Sequence, residues 1–300
     1  MSVSVLYHPD FLNHDTGNGH PERPDRLRSC LSAIKSYEGS LYINWIEPRS
    51  ATEKELEWIH TQDHIVNIKS ICDSGGGYLD PDTPVCPESY HIAMKSAGAW
   101  MNGVDEVIKG NSSFVLSRPP GHHAESNRAM GFCLFSNAAL AATYAIKQKE
   151  FNKIAIFDWD VHHGNGTQDI VQNNPDIYYV STHQFPFYPG TGSQIETGGH
   201  NNVLNIPLPA GLGSADYRNK FDEAVIPFLQ KSSPDMLIIS AGFDAHHRDP
   251  LASINLKNDD YAYMTKRLQE ILPNLLFGLE GGYNLEALGE CCVAVINELF

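Results

Sequence analysis

Short apolar runs rich in β-branched residues alternate along this chain with stretches of helical periodicity. That alternation limits the possible folds more than any other feature. The runs are Val3–Tyr7, Phe114–Leu116, Lys153–Phe157, Ile177–Ser181, Val203–Ile206, Met236–Ser240 and Leu275–Leu279. Each reads as a buried strand of about five residues. Among the intervening stretches, "PDRLRSCLSAIKSY" has Pro24 near its first turn, and "CPESYHIAMKSAGAWMNGVDEVIKG" closes on the helix-ending Gly110. "NAALAATYAIKQKE", "SADYRNKFDEAVIPFLQKS", "NDDYAYMTKRLQEILP" and "LEALGECCVAVINELF" read as helices too. The pattern predicts an α/β fold, a mostly parallel sheet with helices on both faces. A hydrophobic fraction of 42% supports a large core, and no repeat or long linker divides the 300 residues. One domain spanning residues 1–300 is therefore expected. Ligands of such sheets bind beyond the carboxyl ends of the strands, so the chemistry should follow the strands directly.

The stretch "IAIFDWDVHHGNG", residues 154–166, does so. An apolar run is followed by Asp158, Asp160, His162 and His163, groups that are costly to bury. If the extended conformation persists, Asp158, Asp160 and His162 point the same way. Carboxylates on one face repel, and a metal ion among them is the simplest remedy. A solvated turn carrying helix caps is the plainer alternative. "MLIISAGFDAHHRDP" repeats the grammar and carries Asp244 to the same rim. Two carboxylates and one imidazole leave coordination free for water and substrate, which is the logic of a catalytic zinc site. In "LSRPPGHHAE", His122 and His123 are presented on a proline-stiffened loop, as further ligands or as acid–base groups. In "LLFGLEGGYNLEAL", Gly281 and Gly282 free the backbone to aim Tyr283, whose hydroxyl could donate to an oxyanion.

Composition removes several classes. The formal charge is −15 at pH 7, which argues against nucleic acid as a partner. The six cysteines form no CxxC and fit neither a zinc finger nor a disulfide scaffold. "MSVSVLYHPDF" lacks the basic and apolar regions of a signal peptide, and no apolar run is long enough to span a membrane. A cytoplasmic protein with no membrane partner is expected. Oligomeric state leaves no readable signal.

The motifs "HPERPDRL", "RPPGHHA", "GFCLFSNAA", "DWDVHHGNGTQ", "PGTG", "AGFDAHHRDPL" and "LEGGYN" occur in this order between residues 20 and 284. Together they resemble the zinc-dependent histone deacetylase family, including bacterial deacetylases and acetylpolyamine amidohydrolases. "DWDVHHGNGTQ" is similar to the class II branch, with Asn165 where class I usually has Asp. The resemblance covers nearly the whole chain. It implies the arginase–deacetylase fold, with a central, mostly parallel eight-stranded sheet. It implies Zn2+ held by Asp160, His162 and Asp244. It implies that Asp158 orients His122 and holds a structural K+ with Ser181 and the carbonyls of Asp160, His162 and Thr182. A second monovalent site would use carbonyls near Val171, Asn174 and Ile177, with Tyr217 a further candidate. His123, oriented by Asn165, would be the general base, His122 an electrostatic support, and Tyr283 the donor to the oxyanion.

The same resemblance assigns the substrate site. Gly131 and Phe132 match one wall of an acyl-lysine tunnel. Tyr188, where Phe is more usual, matches the other. Arg26 matches the arginine of an internal acetate channel, although a place on a helix surface is equally open. Asp80 and Asp82 both qualify as the rim aspartate that fixes the substrate backbone. Leu251 stands where polyamine-selective relatives carry Glu, so acetylated lysine side chains of proteins or peptides are expected over small acetylated amines. Two rivals stay open. One is a binuclear, arginase-like hydrolase using His246. The other is a catalytically silent module that binds acetyl-lysine.

Overall fold

The computed structural model describes residues 3–148 and 151–300. Lys149 and Glu150, where the "NAALAATYAIKQKE" helix was expected to end, lie outside the described residues, as do Met1 and Ser2. The strands are β1 (Val3–Leu6), β2 (Ile43–Ile46), β3 (Gly77–Asp80), β4 (Thr83–Val85), β5 (Ser112–Val115), β6 (Ile154–Asp158), β7 (Ile177–Gln184), β8 (Val203–Leu208), β9 (Met236–Ala241) and β10 (Leu275–Leu279). Eight of them form one sheet in the order β2-β1-β5-β10-β9-β6-β7-β8, while β3 and β4 make a separate antiparallel hairpin. Neighbouring strands of the large sheet run parallel throughout. The expected α/β fold with an eight-stranded sheet is what the chain adopts. Its central strands β6, β9 and β10 are buried along their whole length, which is why they read as unbroken apolar runs.

The helices are α1 (Asp25–Ser36), α2 (Glu53–Leu56), α3 (Gln62–Asp73), α4 (Ser89–Ile108), α5 (Asn137–Lys147), α6 (Asn165–Val171), α7 (Ser214–Lys220), α8 (Ile226–Ser232), α9 (Asn258–Gln269) and α10 (Leu285–Glu298). Two capping residues matter most. Thr61 caps α3 by accepting from the His64 amide, and Asn284 caps α10 by accepting from the Ala287 amide at 3.0 Å. The second cap sits beside Tyr283 and fixes where α10 begins. The expected single helix over 214–232 is divided. A π-helical turn, Phe221–Val225, joins α7 to α8, and Pro227, which has no N–H to donate, lies in the first turn of α8. No helix of the described residues is long and apolar enough to cross a membrane.

Several of the elements that sequence patterning passed over have weak patterns for physical reasons, although α3, with Ile65, Ile68 and Cys72 on one buried face, does not. In the edge strand β2, Asn44 and Trp45 are exposed, so no continuous apolar run marks it. The β3–β4 hairpin is built from Gly, Pro and Asp as much as from apolar residues. Helix α6 opens on Asn-Gly, which reads as a turn.

Candidate active site

β6 ends at Asp158, and the extended conformation does not continue to His162 as expected. Asp158 Oδ1 accepts from the Asp160 amide at 3.1 Å, and Asp160 Oδ1 accepts from the His162 amide at 2.9 Å. Each aspartate therefore bends the chain around its own carboxylate. The two-residue spacing encodes successive turns, not one face of a strand. The turns still bring Asp160 and His162 to Asp244, which arrives beyond β9. Ligand atoms of the three lie within 4.8 Å of one another. Asp244 Oδ1 accepts from the Val161 amide at 2.8 Å and Asp160 Oδ2 from the Gly281 amide at 2.7 Å. A Cβ on Gly281 would stand 2.2 Å from Asp244 Oδ2, so the carboxylates can converge only beside a glycine.

This donor set fits a zinc-type ion. His162 Nδ1 is 3.1 Å from Asp160 Oδ1 and 3.1 Å from Asp244 Oδ2. Ligands about 2.0–2.1 Å from a tetrahedral centre stand about 3.3 Å apart. The charge balance also asks for a cation. Asp158, Asp160, Asp244 and Glu280 are all fully buried. Burial opposes a charge on His162, but hydrogen bonds to Asp160 and Asp244 push it up to about 10. Burial likewise opposes a charge on His122, and Asp160 and Asp158 hold its pKa well above the ordinary value. One Nδ1 proton on His162 cannot satisfy two carboxylates that both face it.

The adjacent histidines are held in different states. His122 Nδ1 lies 3.1 Å from Asp158 Oδ2, which also accepts from the Tyr179 hydroxyl at 3.0 Å. His123 Nδ1 lies 2.8 Å from Asn165 Oδ1. The Asn165 amide nitrogen donates to Glu125 Oε1 at 2.8 Å, which turns its oxygen toward His123. His123 Nδ1 is therefore the donor and Nε2 keeps its lone pair. Burial and the charges of His122 and His162 keep His123 neutral, its pKa well below the ordinary value. The loop carrying both is pinned by Glu280, whose Oε2 accepts from the amides of Gly121 at 2.7 Å and His122 at 3.2 Å. Burial pushes Glu280 up to about 7.

A narrow cavity of about 100 Å³ opens over this floor, lined by Asp82, His123, Gly131, Phe132, His162, Tyr188, Leu251 and Tyr283. The Tyr188 ring meets His123 edge-on at 5.2 Å, and Phe132 meets Tyr283 edge-on at 6.0 Å. Gly131 has φ +57°, and a Cβ there would be 2.4 Å from the His123 ring. Burial pushes the Tyr283 hydroxyl well above its ordinary value, against the pull of Arg26, so it stays a protonated donor. The two candidate rim aspartates of the β3–β4 hairpin sit differently. Asp80 is engaged by Arg128 at 3.0 Å, whereas Asp82 lines the cavity.

Other expected residues lie elsewhere. Arg26 is on neither a helix surface nor the cavity wall. It is fully buried, with its guanidinium 5.0 Å from the centre of the Tyr283 ring. Its Nε donates to the Gly282 carbonyl at 2.7 Å, its Nη2 to the Glu280 carbonyl, and its Nη1 to Glu22. Those bonds tie down the loop that carries Tyr283. Ser181 faces Asp158 across the β6–β7 register. The Thr182 hydroxyl turns to Tyr217, 2.6 Å from its hydroxyl. His246 is not among the ligand atoms gathered at Asp244.

Three positioning groups escaped the sequence reading. Glu280 follows an apolar strand in "LLFGLE", the same grammar as "IAIFD", and could have been found by it. Asp249 accepts from the amides of Tyr283 at 2.7 Å, Asn284 at 3.2 Å and Leu251 at 3.0 Å. Glu22 sits buried between Arg26 and Arg118, and no local pattern marks such a pair.

The site is thus a two-carboxylate, one-imidazole centre at the carboxyl end of a parallel sheet, flanked by a histidine paired with Asp158 and a histidine paired with Asn165. The histone deacetylase domain family matches residues 20–299. The chain is 46% identical to an uncharacterized protein of Synechocystis sp., covering 99% of each. It is 38% identical to a probable deacetylase of Methanothermobacter thermautotrophicus, over 98% of this chain and 90% of that one. It is 36% identical to the histone deacetylase-like amidohydrolase of Pseudomonas aeruginosa, over 94% and 77%. The crystal structure of the HDA15 HD domain superposes with a TM-score of 0.94 at 36% identity, covering 99% of this chain and 89% of that one. The chain belongs to the histone deacetylase family, a family of deacetylase-type hydrolases.

Proposed function

We propose that this chain is a zinc-dependent amidohydrolase that removes acetyl groups from ε-acetyl-lysine side chains and releases acetate. The observation that carries this reading is the cavity itself, which runs between Phe132 and Tyr188 to His123, Tyr283 and the candidate metal ligand His162. At about 100 Å³ it is far below the volume of an ordinary small-molecule pocket. It suits an unbranched methylene stem with an acyl group at its tip, the backbone staying outside.

Zinc held by Asp160, His162 and Asp244 would supply a Lewis acid for the amide carbonyl and acidify the attacking water. His123 takes the proton of that water at Nε2 and returns it to the leaving amine. His122, held against Asp158 at 3.1 Å, would place positive charge beside the developing oxyanion. Tyr283 donates its hydroxyl proton in a hydrogen bond to the carbonyl oxygen. Asp82 accepts from substrate amides at the rim. A structural K+ at Asp158 and Ser181, with the carbonyls of Asp160, His162 and Thr182, would offset the excess of buried carboxylates. The single domain acts as one catalytic unit.

Leu251 favours lysine over polyamine substrates. An aliphatic side chain at the rim cannot pair a second ammonium, and desolvating one beside it is unfavourable. The test is kcat/KM for an acetyl-lysine peptide against N8-acetylspermidine. Preference for the peptide is expected. Preference for the polyamine would move the assignment to small acetylated amines, and turnover of neither would support the silent binding module.

A further inference from the structure

Beyond Val171, the last residue of α6, the chain passes Asn174 and enters β7 at Ile177. Three backbone carbonyls along this path converge on one atom. Asn202 Nδ2 lies 3.2 Å from the Val171 oxygen, 3.1 Å from the Asn174 oxygen and 2.8 Å from the Ile177 oxygen. A carboxamide nitrogen carries two hydrogens, fewer than the acceptors around it. Convergent carbonyl oxygens are the means by which backbone replaces the hydration shell of a cation. The distances exceed the 2.3–2.6 Å that Ca2+ typically takes and the 2.0–2.1 Å of Mg2+, and match a larger monovalent ion.

The rest of Asn202 fixes which end of the amide points inward. The residue is fully buried. Its backbone carbonyl accepts from the Tyr179 amide at 2.8 Å, and its Oδ1 faces the His200 amide at 3.3 Å. With the oxygen engaged by an N–H, the nitrogen is the atom that faces the carbonyls.

We propose that Asn202 is a built-in substitute for a monovalent cation, so that this chain binds no ion between Val171, Asn174 and Ile177. The carboxamide locks the end of α6 to the start of β7 and to the chain entering β8. The lock bears on the site, because α6 is only seven residues long and begins at Asn165, the partner of His123.

The inference stands apart from the proposed reaction, since its test reads ion position and stability. Crystals of the wild type and of Asn202→Ala are soaked in rubidium chloride, and the anomalous signal is mapped. The wild type should show no rubidium among the three carbonyls, and Asn202→Ala should show it there. In thermal unfolding, replacing N-methylglucamine by potassium at constant ionic strength should raise the Tm of Asn202→Ala by about 2–4 °C more than that of the wild type. Rubidium in the wild type, with the carboxamide rotated away, would overturn the proposal. So would a folded Asn202→Ala with neither rubidium at the carbonyls nor an added potassium response. If that variant does not fold, the wild-type map still decides the occupancy.

Discussion

At the floor of the cavity, Asp158, Asp160, Asp244 and Glu280 are fully buried at or just past strand ends, and each accepts from a neighbouring amide, hydroxyl or imidazole. At the mouth, Asp82, Tyr188 and Leu251 stand on loops, and Tyr188 is 37% exposed. The floor is a closed network in which a change at one group leaves a buried partner unsatisfied, at about 1–3 kcal/mol for a neutral group and more for a charge. The mouth residues hold few bonds to one another. On the proposed function, chemistry is locked where the sheet ends, and selectivity is set where loops meet solvent.

The largest separation between the two regions is expected at the metal ligands. His162→Ala should lose all measurable turnover, since it removes one of three donors and leaves Asp160 and Asp244 facing each other. Retained activity would make the trio a structural ion pair. Next comes Tyr283→Phe, expected to lower kcat by about 10²–10³-fold with little change in KM, as for loss of one oxyanion donor. In the same range, His123→Ala should be at least as damaging as His122→Ala. The reverse order would reassign the proton carrier.

At the mouth the effects should be smaller and should move KM. Asp82→Ala is expected to raise KM for an acetyl-lysine peptide about tenfold, the loss of one charge-assisted hydrogen bond. Asp80→Ala, which only frees Arg128, should change it far less. Equal effects would mean that the hairpin contributes as a scaffold and not through Asp82. Smallest is Leu251→Glu, which should shift the ratio of kcat/KM toward acetylspermidine by about tenfold while leaving kcat for the peptide near its original value. No shift would remove Leu251 from the selectivity argument.

The same contrast explains what could be read from the sequence. The floor was legible because a buried parallel strand must be apolar throughout, so a carboxylate at its end stands out, as at Asp158 and Asp244. Their geometry was less legible. The alternation of Asp158, Asp160 and His162 suggested a strand, and the structure shows side chains accepting from amides two residues on. The mouth was harder still. Asp80 and Asp82 are equivalent in sequence and differ only in space, where Arg128 engages Asp80 and Asp82 lines the cavity. Arg26 resembles any helix-surface arginine until Glu22 and two carbonyls of the Tyr283 loop close around it. Contacts of that range leave no periodicity behind.

The central claim is that Asp160, His162 and Asp244 hold a single catalytic zinc. It is tested most directly by metal analysis of the purified wild type and of Asp244→Asn, each loaded with zinc and freed of excess. One tightly held zinc per chain in the wild type, and none in the variant, is the predicted result. Two metals per chain in the wild type, or zinc retained in full by Asp244→Asn, would contradict it.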